Sequence, residues 1–274
     1  MDNTEKLHRL KKKIPKSLKK LFPKFIKQKL TKMFFPYYFI YTDHNKLPIV
    51  NYKNIYNYDY QLMLIKKFDL VKKQTSYMTC PYLIQLLLEK FKFDEKLRFL
   101  DFGGANIDFF LELQKNFKNL EYYFYNLKTV NQDFRNLKKE FNYKKLNIID
   151  NMNEVFEKNY DFINFGSSIQ YFDNYELILK NISKNNNLIM FSGQTIFESE
   201  NDKFFKHLIA KQINGIKNEN YCYFFNKENF FNYFFENGFK LIFKKKNVTD
   251  KINFKNFDNI VKNVEFSDFL FSKN

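Results

Sequence analysis

Two stretches of this 274-residue chain carry residue types and spacings that could do chemistry. In LDFGGANIDFFLEL, residues 100–113, an acid and two glycines follow a short apolar run and lead into a helical pattern. Gly103 and Gly104 permit backbone conformations and close approaches that a β-carbon blocks. The helix that follows, opened by Asn106 as a natural N-cap, presents free amide groups at its start. A turn of this kind can hold a ligand against backbone, or it can be a strand–helix connection that simply needs glycine. In DFINFGSSIQYFDNYELILKNI, residues 161–182, an apolar strand ends in Gly166, Ser167 and Ser168. Gln170, Tyr171 and Asp173 then lead into a helix. Small and polar residues at a strand's carboxyl end suit the floor of a ligand site. The same segment also reads as a plain helix entry capped by Asp173 or Asn174.

General acid–base work would need a titratable group near these turns. The candidates are Asp173, Tyr171, His207 and Glu198, and none has a decisive spacing. His207 falls in a pattern that reads as an apolar helix, where packing or solvation accounts for it. Cys222 has no histidine near it in sequence and reads as a small buried hydrophobe. With three histidines and two cysteines in the chain, a disulfide scaffold or a structural metal site is not expected.

The elements that must position these residues follow from periodicity. Short apolar strands at 98–103, 121–126, 144–150, 160–168 and 187–193 alternate with helical patterns at 106–117, 130–141 and 175–183. Such alternation argues for a parallel sheet covered on both faces. In an open sheet of this type, ligands gather at the carboxyl ends of the strands where the strand order reverses. Beyond it, 202–215 reads as a helix, and 226–239 as a helix started by Asn226 and stopped by Gly238. The strands 240–247 and 264–274 have no helix between them and are expected to be antiparallel. Residues 34–96 read as a helical lead-in, with helices at 58–73 and 80–91.

Charge is unevenly spread. The chain carries a net +16, and residues 1–33 hold 12 of its Lys and Arg against Asp2 and Glu5. In that segment Leu18, Leu21, Phe22, Phe25, Ile26 and Leu30 recur at helical steps, with lysines on the other face. This basic amphipathic pattern suits an anionic membrane surface, or a helix docked on the protein's own body. The rest of the chain is only mildly basic. Arginine occurs three times, and the abundance of Lys, Asn, Ile, Phe and Tyr is what AT-rich coding produces. No apolar run approaches the roughly 18–20 residues of a membrane-spanning helix. The leading segment lacks the pattern of a secretory signal, so the expected location is the cytoplasm, with attachment to the inner membrane face.

Three segments together resemble a known family: FLDFGGA (99–105), FGSSIQYF (165–172) and ENYCYFFNKENFFNYFFENGFKL (219–241). They are similar to the class I S-adenosylmethionine-dependent methyltransferases, and more narrowly to a group of bacterial methyltransferases associated with surface-polysaccharide gene clusters. The resemblance covers about residues 97–274. It implies a Rossmann-like seven-stranded mixed sheet of five parallel strands plus a C-terminal antiparallel pair, with helices on both faces and an N-terminal helical extension. It implies S-adenosylmethionine as cofactor, with Asp101, Gly103, Gly104, Ala105, Asn126, Asp150, Ser167 and Gln170 along its site and no metal. It implies a small-molecule or glycan-type acceptor, with Asp173, Tyr171 or His207 serving acid–base chemistry. The chain departs from the family at three places. Ala105 and Ile107 stand where glycines are usual, Asn126 stands where an acid ends the second strand, and Gly193-Gln194-Thr195 replaces Asp-Arg-Thr. A binding or scaffolding module that kept the sheet and lost the chemistry is the alternative. Nucleic-acid methylation is disfavoured, because no Asn/Asp-Pro-Pro-Tyr-type motif follows the fourth strand.

Overall fold

The computed structural model describes residues 37–51, 81–104, 107–199, 206–213, 219–247, 253–257 and 261–273. The basic segment 1–33, the helix expected at 58–73, Cys80, Ala105 and the proposed cap Asn106 lie outside the described residues. No helix among the described residues is long and apolar enough to cross a membrane.

Five parallel strands form the centre: β2 (Lys96–Phe102), β3 (Asn119–Tyr125), β4 (Leu146–Ile149), β5 (Phe162–Gly166) and β6 (Leu188–Ser199). They are strands because nearly every side chain along them is buried on one face or the other, as in Phe99, Leu100, Phe102, Phe162, Ile163 and Phe165. β2 sits between β3 and β5 and is parallel to both. From β2 the chain moves outward through β3 to β4, then returns to place β5 and β6 on the other side. The order therefore reverses between β2 and β5, and the crevice at their carboxyl ends is the expected ligand position.

The C-terminal pair closes this sheet. β11 (Val261–Lys273) runs antiparallel to β6, and β9 (Phe239–Lys246) pairs antiparallel with β11. The order across the seven strands is β4-β3-β2-β5-β6-β11-β9. The Rossmann-like mixed sheet is thus present.

Six helices among the described residues cover it. On one face α1 (Pro81–Lys90), α2 (Asp108–Asn116) and α3 (Lys128–Glu140) bury Leu83, Leu87, Phe110, Leu113 and Phe134 against the sheet. On the other, α4 (Met152–Glu157), α5 (Tyr175–Asn185) and α6 (Lys227–Glu236) bury Val155, Ile178, Ile182, Phe230 and Phe234. Aromatic rings dominate both layers: Phe124 stacks on Phe134 with centroids 3.7 Å apart, and Phe234 on Phe271 at 4.3 Å. Each such ring, fully buried, contributes about 2–3 kcal/mol of transfer free energy. α6 is capped as its sequence suggests. Asn226 Oδ1 accepts from the Asn229 N–H at 3.1 Å, and Gly238 lies past the end at φ +80°.

The sheet is larger than seven strands. β6 continues past β5, whose last partner on it is Ser192, and its second half pairs in parallel with β8 (Glu219–Asn226). β8 runs antiparallel to β7 (His207–Ile213), β7 antiparallel to β1 (Tyr37–Ile40), and β1 parallel to β10 (Asn253–Lys255). One face of this lobe packs Tyr38, Ile40, Leu208, Ala210, Cys222 and Phe224 into a third core cluster.

Three expectations are corrected here. The helix expected over 202–215 is not formed, because His207–Ile213 is a strand held between β8 and β1. Leu208 and Ala210 pack into one core cluster and Ile209 between them into another, a period of two rather than 3.6. The lead-in is not wholly helical, since Tyr37–Ile40 joins the sheet. Asn174 occupies the cap position of α5 without a side-chain bond to the helix, and Asp173 accepts from the neighbouring Asn174 N–H at 2.9 Å. Cys222 is a buried free thiol, and burial pushes its pKa up, as expected of an inert core cysteine.

Candidate functional site

The glycine turn after β2 is filled by the protein's own side chains. Gly103 has φ +72°, and a β-carbon on it would lie 2.2 Å from Ser168 Cβ. A β-carbon on Gly104 would lie 2.1 Å from the Asp101 carboxylate. Glycine is therefore required at both positions by contacts within the chain. Asp101 is 1% exposed and lies beneath the turn, where Tyr122 Oη donates to Oδ2 at 2.8 Å and Asn164 Nδ2 to Oδ1 at 3.2 Å. Burial raises its pKa to about 7 in spite of both hydrogen bonds. Asp101 is thus buried beneath the turn, engaged by β3 through Tyr122 and by β5 through Asn164.

The other strand ends are knitted to this turn. Ser168 Oγ donates to the Phe102 carbonyl at 2.8 Å, tying β5 to β2. Ser167, at φ +54°, donates to the carbonyls of Ser192 at 2.6 Å and Gly193 at 3.0 Å, tying β5 to β6. Asn164 accepts from Ser192 Oγ at 3.1 Å while donating to Asp101. At the end of β3, Asn126 Nδ2 donates to the Gly104 carbonyl at 2.5 Å and its Oδ1 accepts from the Leu127 N–H at 2.7 Å. Asn126 closes the turn from the far side. Asp150, after β4, accepts from Asn131 Nδ2 at 2.8 Å and pairs with Arg135. Burial works against its ionised form, but these hydrogen bonds and the Arg135 charge hold its pKa below the usual value.

Gln170 differs from its neighbours. It sits in the 3-10 turn after β5, is 2% exposed, and its Oε1 has no hydrogen-bond partner among the described residues. A buried acceptor of this kind calls for a donor from beyond the described residues.

The structure distributes the acid–base candidates rather than assembling them. Tyr171 donates to Gln212 Oε1 at 2.8 Å, and Gln212 Nε2 donates to Tyr38 Oη at 2.9 Å, so Tyr171 ties the β5 turn to the extra lobe. Asp173 is exposed at the entry to α5. His207 begins strand β7, with Nδ1 2.9 Å from Tyr175 Oη. Burial lowers its pKa, Glu176 opposing, so the neutral imidazole prevails at pH 7. Glu198 is paired with Lys227. Asn164, which accepts from Ser192 on β6 and donates to Asp101 on β2, was not singled out by motif. The signal for Asn164 is its polar amide within the otherwise apolar FINF of β5.

The fold defines a Rossmann-like α/β protein whose strand order reverses between β2 and β5. No protein-family model matches the chain, and no curated protein does. Similar solved structures exist. A S-adenosylmethionine-dependent methyltransferase from Clostridium acetobutylicum ATCC 824 has 13% identity and a TM-score of 0.49, over 78% of this chain and 99% of its own. The 1,6-didemethyltoxoflavin-N1-methyltransferase of Burkholderia thailandensis has 11% identity and a TM-score of 0.49, over 85% and 98%. The magnesium protoporphyrin IX methyltransferase of Synechocystis PCC 6803 has 9% identity and a TM-score of 0.48, over 79% and 94%.

Proposed function

We propose that this chain is a S-adenosylmethionine-dependent methyltransferase acting on a small or glycan-type acceptor in surface-polysaccharide synthesis. The observation that carries the reading is the reversal of strand order between β2 and β5, with the Gly103-Gly104 turn, Asn126 and Ser167 at the strand ends there. Gln170, in the turn after β5, keeps a buried acceptor atom without a partner among the described residues. The three sequence segments that resemble the family fall on β2 and the turn after it, on the end of β5 and its 3-10 turn, and on β8 and α6. The residue set fits the cofactor in part. Gln170 Oε1 is available to a donor, and Asn126 Oδ1, engaged once by the Leu127 N–H, retains a second lone pair for a hydroxyl. Asp150, paired with Arg135, would border the site rather than grip it.

The cofactor, when bound, supplies a methyl group already activated on a sulfonium. The chain's own contribution is to align the acceptor and exclude water. A hydroxyl acceptor would further need a base, and neutral His207, oriented through Nδ1 by Tyr175, is the candidate whose protonation state suits that work.

Calorimetric titration of the folded wild type with S-adenosylmethionine and S-adenosylhomocysteine tests the reading. Micromolar binding is expected, weakened about tenfold or more in Gln170→Met, as expected for a lost hydrogen bond in a buried site. The thermal stability of Gln170→Met should be unchanged or higher, since the variant removes an unpaired buried oxygen. No binding by wild type would overturn the reading in favour of the non-catalytic scaffold. The companion proposal, attachment to the inner membrane face, rests on residues 1–33. Deleting them should abolish cosedimentation with vesicles containing about a third anionic lipid, since each lysine near such a surface contributes about 1 kcal/mol. Unchanged cosedimentation would remove the membrane from the account.

A further inference from the structure

The strand pair β6–β11 carries buried polar side chains on both faces, and on one of them Gln194 and Ser267 have no hydrogen-bond partner among the described residues. Toward α1, Asp268 accepts from the Gly193 N–H at 2.6 Å, from Asn247 Nδ2 at 2.8 Å and from the Tyr82 hydroxyl. Thr195, the residue after Gln194 on β6, donates to the Tyr223 carbonyl at 2.7 Å. Between them, on the face toward α6, Gln194 and Ser267 are direct cross-strand partners, and each is 0% exposed. Neither Gln194 Nε2, Gln194 Oε1 nor Ser267 Oγ has a hydrogen-bond partner among the described residues.

The surroundings enclose this pair. Lys244 Nζ lies 2.8 Å from Glu265 Oε1 and 5.8 Å from the Phe269 ring centroid. Glu265 and Phe269 are the residues two before and two after Ser267 on β11, so the Lys244 side chain passes over Ser267. Lys227, the first residue of α6, pairs with Glu198 on the rim. The ladder is irregular here, with a register shift between Ser267 and Phe269 and Gly193 at φ +63°. A bulge of this kind separates the strands locally and re-aims side chains.

Three unpaired polar atoms, one a donor, one an acceptor and one able to do both, are costly to bury alone. Their chemistry matches a guest that donates and accepts at once, and a buried water does so with about three partners. We propose that Gln194 and Ser267 form an internal binding site for one small hydroxylic guest, either a water molecule or a single alcohol group. The site adjoins the crevice, because the Gly193 carbonyl next to Gln194 accepts from Ser167 at the end of β5. It does not depend on the methyltransferase reading.

The test is NMR of the full-length, 15N-labelled protein, read at the Gln194 side-chain amide. A cross-peak from that amide to a long-lived water in the ligand-free protein supports the site with water as its guest. A saturable shift of the same amide on titration with methanol, without the water cross-peak, supports it with an alcohol as its guest. The absence of both signals overturns the proposal. Ser267→Ala is expected to lose whichever signal the wild type gives while keeping the near-UV circular dichroism of the fold. Retention of the signal in that variant overturns the pairing of Gln194 with Ser267. Should the variant fail to fold, the wild-type measurement decides alone.

Discussion

Gly103→Ala is expected to destabilise the protein by about 2–5 kcal/mol, from a left-handed backbone cost of roughly 1–2 and an overpacking cost of roughly 1–3. The two parts are separable. At φ +72° any side chain is strained, whatever the space around it. The overpacking part comes from Ser168, whose Cβ and Oγ would lie 2.2 and 2.6 Å from the new β-carbon. Ser168→Gly removes that obstacle and gives up the bond from Ser168 Oγ to the Phe102 carbonyl. In the double variant the steric share should vanish, leaving a coupling of about 1–3 kcal/mol between the two sites in urea denaturation. Additive effects would show that the turn relaxes away from Ser168 and that the close approach is not obligatory. For the same reason, a bulky substitution at Gly103 cannot report on cofactor binding, since it disturbs the fold first.

Asp101→Asn is expected to remove a pH dependence of stability that runs against the usual direction for a carboxylate. The folded-state pKa of Asp101 is raised to about 7 by burial, against an ordinary value of 3.8. Between those values the folded protein holds a proton that the unfolded chain has released. Stability from this group is therefore fully present below about pH 4, declines as pH rises, and is lost above about pH 7. A shift of roughly three units corresponds to at most about 4 kcal/mol across that window. Other groups titrate in the opposite sense: pairing holds the pKa values of Asp150 and Glu198 down, so their contribution is lost as pH falls. The informative quantity is the difference in unfolding free energy between wild type and Asp101→Asn, measured from pH 4 to pH 8. It should change monotonically, with the variant gaining on wild type as pH rises. A flat difference would mean that Tyr122 and Asn164 stabilise the carboxylate enough to offset its burial.

Much of the central sheet could be read from the chain because its strands are buried on both faces and therefore continuous in apolar residues. RFLDF, EYYFY and FINF need no partner information to be recognised. The lobe was harder. HLIAKQI contains Ala, Lys and Gln, which favour helices in isolation, and becomes a strand only because β8 and β1 flank it. That is a tertiary decision, invisible to local pattern. The same holds at the site. The position of the glycine turn followed from sequence, but what presses against it did not, because Ser168 lies 65 residues further on. Asn126 was expected at the end of β3 and is there, yet its amide is spent on the Gly104 carbonyl, an engagement that no spacing rule reveals.

β6 belongs to two assemblies at once. Its first half completes the parallel sheet against β5, its second half founds the extra lobe against β8, and β11 runs along its entire other side. A lobe joined by a loop could be excised or exchanged without harm to its host. This one cannot: trimming it would strip the upper half of β6 of one neighbour and expose backbone that the rest of the molecule does not cover. The lobe is inherited together with the strand that feeds the crevice, so a change of partner chemistry in one is constrained by the geometry of the other.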